Sequence, residues 1–593
     1  MFLRCNTRLK DGKEHHYWSI VENKRVAGGK VLQRHVLYLG EINDSQREAW
    51  RKTIEIFEDG RPHPRTVALF PQERIAPTPD ESIVRIRLDA LELHRPRQWG
   101  ACWLACELYE QLGLDRFWAA RLPASRKGTR WNLVLQALCA YRLIDPGSEW
   151  RFHRQWFEQS AMADLLGSDF RLAEAHRLYE VHDQLLAHKQ ALFSHLQERW
   201  RDLFNAKFEV LLYDLTSTYF ESDPPFPEGD KRQFGYSRDQ RSDCVQVVIA
   251  LIVTPEGFPL AYEVLAGNTA DKTTLRACLK KIEAQYGKAE RIWVMDRGIP
   301  TEEVLAEMRA GDPPVSYLVG TPKGRLGKLE AELCERPWEQ VREGVEVKLL
   351  PRADELYVLA KSRDRMYKER AMRRRRLKEL LARLRELSGM KLKRDALLIK
   401  VGQAKARAGR VFSLVDLRLP KAREPVNATT FGFSLNTSKL REVCRREGRY
   451  LLRAFDVTGC GTAKLWEFYM QLTRIEDAFK NLKGDLAIRP IHHQRGDRIE
   501  AHIFIAFLAY CLQVTLQRRL RDLAPGLTVR AVLEKFAAVA MVDVHLPTTD
   551  GRMVIMPRYT QPEEELKMLL ASLKIELPPQ PKPRITASGT LAQ

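Results

Sequence analysis

Three carboxylates stand where a carboxylate is either costly or well placed for chemistry. Asp214 lies inside an apolar run, flanked by Leu211, Leu212, Tyr213 and Leu215. A charged group there needs an ion partner or a metal. Asp296 ends a second apolar run, Ile-Trp-Val-Met-Asp, and is followed by Arg297 and Gly298, the kind of strand-to-loop junction where ligand sites collect. Glu476 sits in a segment where Ile475, Ala478, Phe479, Leu482 and Leu486 mark one apolar stripe. Each acid alone also reads as a turn former, an ion-pair partner or part of a solvated Glu/Lys face. Taken together, they suit hard divalent cations, which prefer oxygen ligands.

Neighbouring residues extend this set. Tyr469, Glu476 and Lys483 are spaced by seven, so on one continuous helix they drift only about 20° per step and share a face. Lys480 and Lys483 add positive charge on that side. Thr216, two residues after Asp214, points to the same strand face. His492, His493 and His502 offer metal-ligand nitrogens, but hard-cation sites use oxygen donors, so they read first as hydrogen-bonded structural residues.

These residues need elements to hold them. Residues 208–222 are aliphatic and β-branched, and CVQVVIALIVTPEGFPLAYEVLAG reads as two strands joined at Pro255-Glu256-Gly257. A helix at about 272–286, the strand RIWVMD, a helix at about 301–310 and the strand VSYLVG follow. Three strands, then alternating helix and strand, suit a mixed α/β sheet. Strong helices are expected again at about 464–486 and 498–520.

Upstream, residues 15–40 alternate around Gly28-Gly29 as a β-hairpin does, and helical periodicity runs from about Trp99 to Trp200. Asp296 and Glu476 stand 180 positions apart, more than a compact core needs. Within that gap, residues 361–410 hold 19 Lys and Arg against 5 Asp and Glu. Leu377, Leu380, Leu381, Leu384 and Leu387 keep helical spacing there. The expected division is a basic hairpin module at 1–75, a helical domain at 84–204, a mixed-sheet core at 205–322 and 465–545 that carries the three acids, a basic insertion at 323–464, and a disordered Pro-rich tail at 577–593.

The 593 residues carry 97 Lys and Arg against 77 Asp and Glu, a net charge of +20. A polyanion is therefore the first partner to consider, and nucleic acid the default. The apolar run near 503–514 is too short to span a bilayer and reads as a buried helix. No secretory signal is legible, so a cytoplasmic, nucleoid-associated protein is expected. The ten cysteines form no Cys-x-x-Cys pair and support neither a zinc site nor a disulfide framework; Cys102 and Cys106 read as buried thiols.

The motifs YDLTSTYFE, AGNTADKTTL, VMDRG and Y-x6-E-x6-K, with RPIHHQRGDRIEAHIFIAFLAYCL and HVLYLG, resemble the insertion-sequence DDE transposases with an RNase H-like catalytic core, in the subgroup carrying a YREK signature. One position departs: the signature Arg is replaced by Leu472, and Arg474 lies about 200° round a helix from that place. The resemblance implies an RNase H-like mixed sheet with a largely β insertion. It further implies that Asp214, Asp296 and Glu476 are catalytic and metal-binding, with two Mg²⁺ ions for which Mn²⁺ substitutes. Cleavage at the ends of a mobile element and strand transfer into target DNA would follow, with double-stranded DNA as partner and a homodimer as the active form. Lys483, Tyr469, Lys480, Arg297 and Thr216 would contact DNA. A nuclease that only cuts, and a catalytically inactive transposase-derived DNA-binding protein, are the alternatives.

Overall fold

A computed structural model of the chain describes residues 2–10, 13–25, 31–41, 54–56, 65–67, 85–126, 128–286, 291–321, 329, 332–333, 336–352, 354–457 and 461–586. The Gly28-Gly29 turn, the connector at 71–82 and residues 587–593 of the tail lie outside them. The chain forms two compact units, one of residues 1–103, 158–162 and 532–593, the other of residues 104–157 and 163–531.

In the first unit, β1 (Phe2–Lys10), β2 (Lys13–Arg25) and β3 (Val31–Glu41) form an antiparallel sheet in the order β1-β2-β3. The expected hairpin is β2 and β3; the added strand β1 pairs Phe2 with Val21 through Lys10 with Lys13. A short pair follows, β4 (Ile54–Ile56) and β5 (Arg65–Val67). A second sheet joins β6 (Glu92–Gln98) to β18 (Ala540–Pro547), β19 (Met553–Tyr559) and β20 (Arg584–Thr586). Two sequence expectations change here. Residues 540–545, assigned to the catalytic core, belong to this sheet. The tail is ordered at least to Thr586: Arg558 donates to the Pro581 carbonyl at 2.6 Å, and Ile585 pairs with Val554. Main-chain pairing overrides a composition that by itself buries little apolar surface.

The second unit is built on a nine-stranded mixed sheet. Its core strands are β7 (Val210–Phe220), β8 (Val245–Val253), β9 (Pro259–Ala266), β10 (Ile292–Met295) and β11 (Tyr317–Thr321). Their spatial order, β9-β8-β7-β10-β11, is that of an RNase H-like sheet. β7, β8 and β9 form an antiparallel meander, while β10 runs parallel to both β7 and β11. Every residue of β8 is buried, which fits a central strand covered on both faces.

The insertion extends this sheet. β12 (Glu339–Arg342), β13 (Val345–Arg352), β14 (Glu355–Ser362) and β17 (Arg449–Phe455) continue it as β12-β13-β14-β17-β11. Arg453 on β17 fastens the extension to the core: it ion-pairs with Glu355 of β14 and with Glu302 at 2.8 Å. Between β14 and β17 the insertion is chiefly helical rather than largely β. A 27-residue helix, Arg363–Gly389, folds back on a second, Arg394–Ala408, beside a small pair, β15 (Val415–Arg418) and β16 (Gly432–Leu435). Leu377, Leu380, Leu384 and Leu387 pack on Leu397, Val401 and Ala404. Each buried Leu there contributes about 1.5–3 kcal/mol, which holds together a surface dense in arginine.

Within the second unit, the helical region at 104–157 and 163–204 packs on the core through the helix Gly496–Leu523. Phe193 stacks edge-on against Phe507 at 5.5 Å, and Trp118 against Phe504 at 6.0 Å. This helix is long and apolar enough to cross a membrane, yet 94% of its apolar window is buried inside the protein; it is a core helix. Cys102 and Cys106 are free and buried, as expected.

Candidate active site

Strand register brings the first two acids together. Met295 of β10 pairs with Tyr213 of β7. One step further along the parallel pair lie Asp296 and Asp214. The apolar neighbours Leu211, Leu212, Tyr213, Val294 and Met295 are buried and hold both strands in the core, so each acid emerges at a fixed place.

The third acid comes from a helix laid against β7 and β8. In Leu472–Lys483, Ile475, Ala478, Phe479 and Leu482 are buried, so Glu476 is exposed on the free side. The sequence suggests one continuous helix from 464 to 486, but two are present, Thr462–Met470 and Leu472–Lys483, with Gln471 between them. Tyr469 thus lies in the last turn of the first helix and Lys483 at the end of the second, while Tyr469 and Glu476 line one cavity.

Asp214, Asp296 and Glu476 line one cavity of about 290 Å³, together with Arg297, Gly320, Arg365, Tyr450, Tyr469, Leu472 and Thr473. The three acids surround it rather than collapse on one point. Among the described residues, only another group, Glu149, His182, His493 and His502, brings all its donor atoms within 4.8 Å of one another.

Asp214 is half-buried. Its Oδ1 accepts the Leu215 N–H at 2.8 Å. Burial pushes its carboxyl up to about 7; Asp296 and Glu476 push the same way, while the Leu215 N–H and Arg238 oppose them. An added cation relieves both the burial cost and the like-charge repulsion. An all-oxygen donor set with open room suits Mg²⁺ or Mn²⁺, which keep several waters or substrate oxygens as ligands. The residues present therefore fit divalent metal ions.

Tyr469 forms the cavity wall. Burial first, then Asp296, raises its phenol above the ordinary range. Its ring stacks on Tyr450 at 5.9 Å, and the Arg365 guanidinium lies 5.0 Å from the Tyr450 centroid. Gly320 leaves room for this arrangement: a Cβ there would stand 2.8 Å from Tyr469 Oη and 3.2 Å from the Arg297 nitrogen.

The remaining expected residues divide. Arg297 lines the cavity and is exposed. Lys480 is exposed on the Glu476 helix but outside the cavity lining. Lys483 turns to Asp239, 3.0 Å away, which also holds Arg489 at 3.1 Å. Thr216 is buried and outside the cavity lining. Leu472 does line the cavity and Arg474 does not. Arg365, Tyr450 and Asp239 escaped the sequence reading. They sit on the insertion and on the loop after β7, and no local spacing links them to the acids.

Residues 206–512 match the transposase DDE domain family, and residues 3–68 match the N-terminal domain of the IS1634 family transposases. No curated protein matches the chain. Among solved structures, it is similar to piggyBac transposase in a synaptic complex with hairpin DNA, at 9% identity and a TM-score of 0.34, over 75% of this chain and 82% of that one. With the family model covering more than half of its length, the chain belongs to the transposase DDE domain family.

Proposed function

We propose that this DNA transposase uses Asp214, Asp296 and Glu476 to hold two divalent cations, Mg²⁺ in the first instance with Mn²⁺ as a substitute. The observation that carries this reading is that the three acids line a single cavity in which half-buried Asp214 faces the like charges of Asp296 and Glu476. When bound, such ions stabilise the attacking and leaving oxygens of an in-line phosphodiester displacement. Asp214 and Asp296, on adjacent strands, fix the ligand oxygens before DNA arrives, so little reorganisation is left for the reaction. Glu476 closes the set from the helix side. Water attacks the phosphodiester at the end of a mobile element and frees a 3′-hydroxyl; that hydroxyl then attacks a target phosphodiester, and the new joint forms as the target strand's own 3′-oxygen leaves.

Arg365 takes the phosphate contact that Leu472 cannot make, since it is a guanidinium on the same cavity wall. Arg297 and Lys480 grip the flanking backbone, and Tyr469 with Tyr450 forms a stacking wall for a sugar or base. Lys483 reaches a phosphate only by giving up Asp239. Thr216 supports the Asp214 strand from within the core. The arginine-rich helix at 363–389 tracks the phosphate backbone, the N-terminal sheet and the helical region recognise the end sequence, and two copies hold two ends at the nucleoid.

The test is cleavage and joining of a duplex carrying the element's end, with Mg²⁺. The wild-type chain should nick the end and yield joined product. Asp296→Asn should bind the duplex and yield neither. Cutting without joining would indicate a nuclease, and cutting that persists in Asp296→Asn would remove these acids from the chemistry.

A further inference from the structure

We propose that Glu149, His182, His493 and His502 form a second, structural metal site that takes zinc. The four residues come from separate parts of the chain: Glu149 and His182 from the helical region, His493 from the loop after the Glu476 helix, His502 from the helix Gly496–Leu523. All four are at most 5% exposed.

Three geometric observations point to a metal rather than to a hydrogen-bonded cluster. First, Glu149 Oε1 stands 3.3 Å from His493 Nε2, 3.3 Å from His502 Nδ1 and 3.5 Å from His182 Nε2. Charge-assisted N–H···O bonds are shorter, at about 2.7–2.9 Å. Four ligands bonded to a tetrahedral zinc at about 2.0–2.2 Å stand about 3.3–3.6 Å from one another. The three separations from Glu149 are thus those of tetrahedron edges, and all four donors lie within 4.8 Å of one another.

Second, the outward nitrogens are committed. His182 Nδ1 donates to the Leu178 carbonyl at 2.7 Å, and His502 Nε2 donates to the Ile488 carbonyl at 3.2 Å. A carbonyl only accepts, so those nitrogens carry the protons. In the neutral rings, His182 Nε2 and His502 Nδ1 then turn lone pairs toward a carboxylate oxygen. That arrangement repels unless a cation lies between them, and ligating histidines commonly anchor their second nitrogen in this way.

Third, His182 Nε2 is buried and makes no hydrogen bond. Protonating one ring satisfies one contact and leaves another lone pair facing the oxygen. Protonating both His182 and His502 crowds two imidazolium ions near the buried Arg142, whose charge acts on both Glu149 and His502. One divalent ion satisfies all four donors at once. Three imidazoles and one carboxylate with no position left for water describe a closed structural zinc site, unlike the open all-oxygen set at Asp214. Its role is to bind the helical region to the helix that backs the catalytic sheet.

The experiment is elemental analysis of the full chain purified without a histidine tag from zinc-supplemented cells. About one zinc per chain is expected, with three nitrogen and one oxygen neighbours at about 2.0–2.2 Å by X-ray absorption. Strong chelators should remove it and lower Tm, and added zinc should restore both. Glu149→Gln and His502→Gln should fall to below about a tenth of an equivalent, while the triple variant Asp214→Asn, Asp296→Asn, Glu476→Gln keeps its zinc. If the histidine variant fails to fold, the wild-type stoichiometry and absorption spectrum still decide. A metal-free wild-type chain whose Tm ignores both chelator and zinc overturns the proposal, as does zinc that vanishes with the three acids.

Discussion

Tyr213 and Met295 pair across two parallel strands, and that single register sets Asp214 beside Asp296. Because the side-chain period of a strand is two, a slip by one residue would turn one acid into the core. The pairing therefore decides whether the two carboxylates can serve one ligand.

Loss of either aspartate should abolish chemistry without abolishing binding. Metal assistance to phosphoryl displacement is worth several kcal/mol, so Asp214→Asn or Asp296→Asn should slow end cleavage by roughly 10³-fold or more. Gel-shift affinity for the same duplex should hold within a few-fold. A variant that cuts at the wild-type rate contradicts the assignment.

The high Asp214 pKa makes metal affinity and stability depend on pH. Asp214 is pushed up from 3.8 to about 7, so the folded metal-free protein binds the proton more tightly than the unfolded chain does. This contribution to stability is present in acid and is lost as pH rises from about 4 to about 7. Metal competes with that proton, so Mg²⁺ or Mn²⁺ affinity should rise up to about pH 7 and then level off. Calorimetry in buffers of different ionisation enthalpy should detect proton release on binding at pH 6 and little at pH 8.

Gly320→Ala tests the cavity wall. The new Cβ stands 2.8 Å from Tyr469 Oη, and overpacking of this kind costs about 1–3 kcal/mol. Removing the hydroxyl with Tyr469→Phe should recover much of that loss. A Tm cycle over the two single variants and the double variant measures the coupling, and strict additivity would place the phenol elsewhere.

In the first unit, Arg97 and Asp543 form a buried ion pair at 2.8 Å, with Arg95 adding a second contact at 3.2 Å. Asp543→Ala strands the buried Arg97 and should cost about 3–5 kcal/mol. Urea unfolding of the variant against the wild type reads this directly.

The exposed Arg374 and Arg376 of the insertion helix test the DNA-binding role of the basic run. If each neutralises one phosphate, the double alanine variant should flatten the slope of log K against log salt by nearly two. An unchanged slope would make that surface a solvated face only.

Local patterning revealed the elements but not all of their partners. The apolar runs around Asp214 and Asp296 read directly as strands, and the stripe Ile475, Phe479, Leu482 read directly as a buried helix face. The break at Gln471 was invisible because both sides keep helical periodicity. β17 lies between β11 and β14 only through pairing across nearly a hundred residues of insertion, which no local spacing encodes. Composition misled at Pro578–Thr586, where main-chain pairing to β19 and carbonyl contacts order a Pro-rich segment. His493 and His502, taken singly in the sequence, look structural; Glu149 and His182, which complete the group, carry no motif.

Whether Asp214, Asp296 and Glu476 together grip divalent cations is decided by a crystal of the chain soaked in Mn²⁺, with anomalous scattering recorded. Anomalous peaks are expected inside the cavity, with carboxylate oxygens of all three residues within about 2.0–2.6 Å of manganese. Manganese bound elsewhere while this cavity stays empty at saturating concentration, or bound there without Glu476, would contradict it.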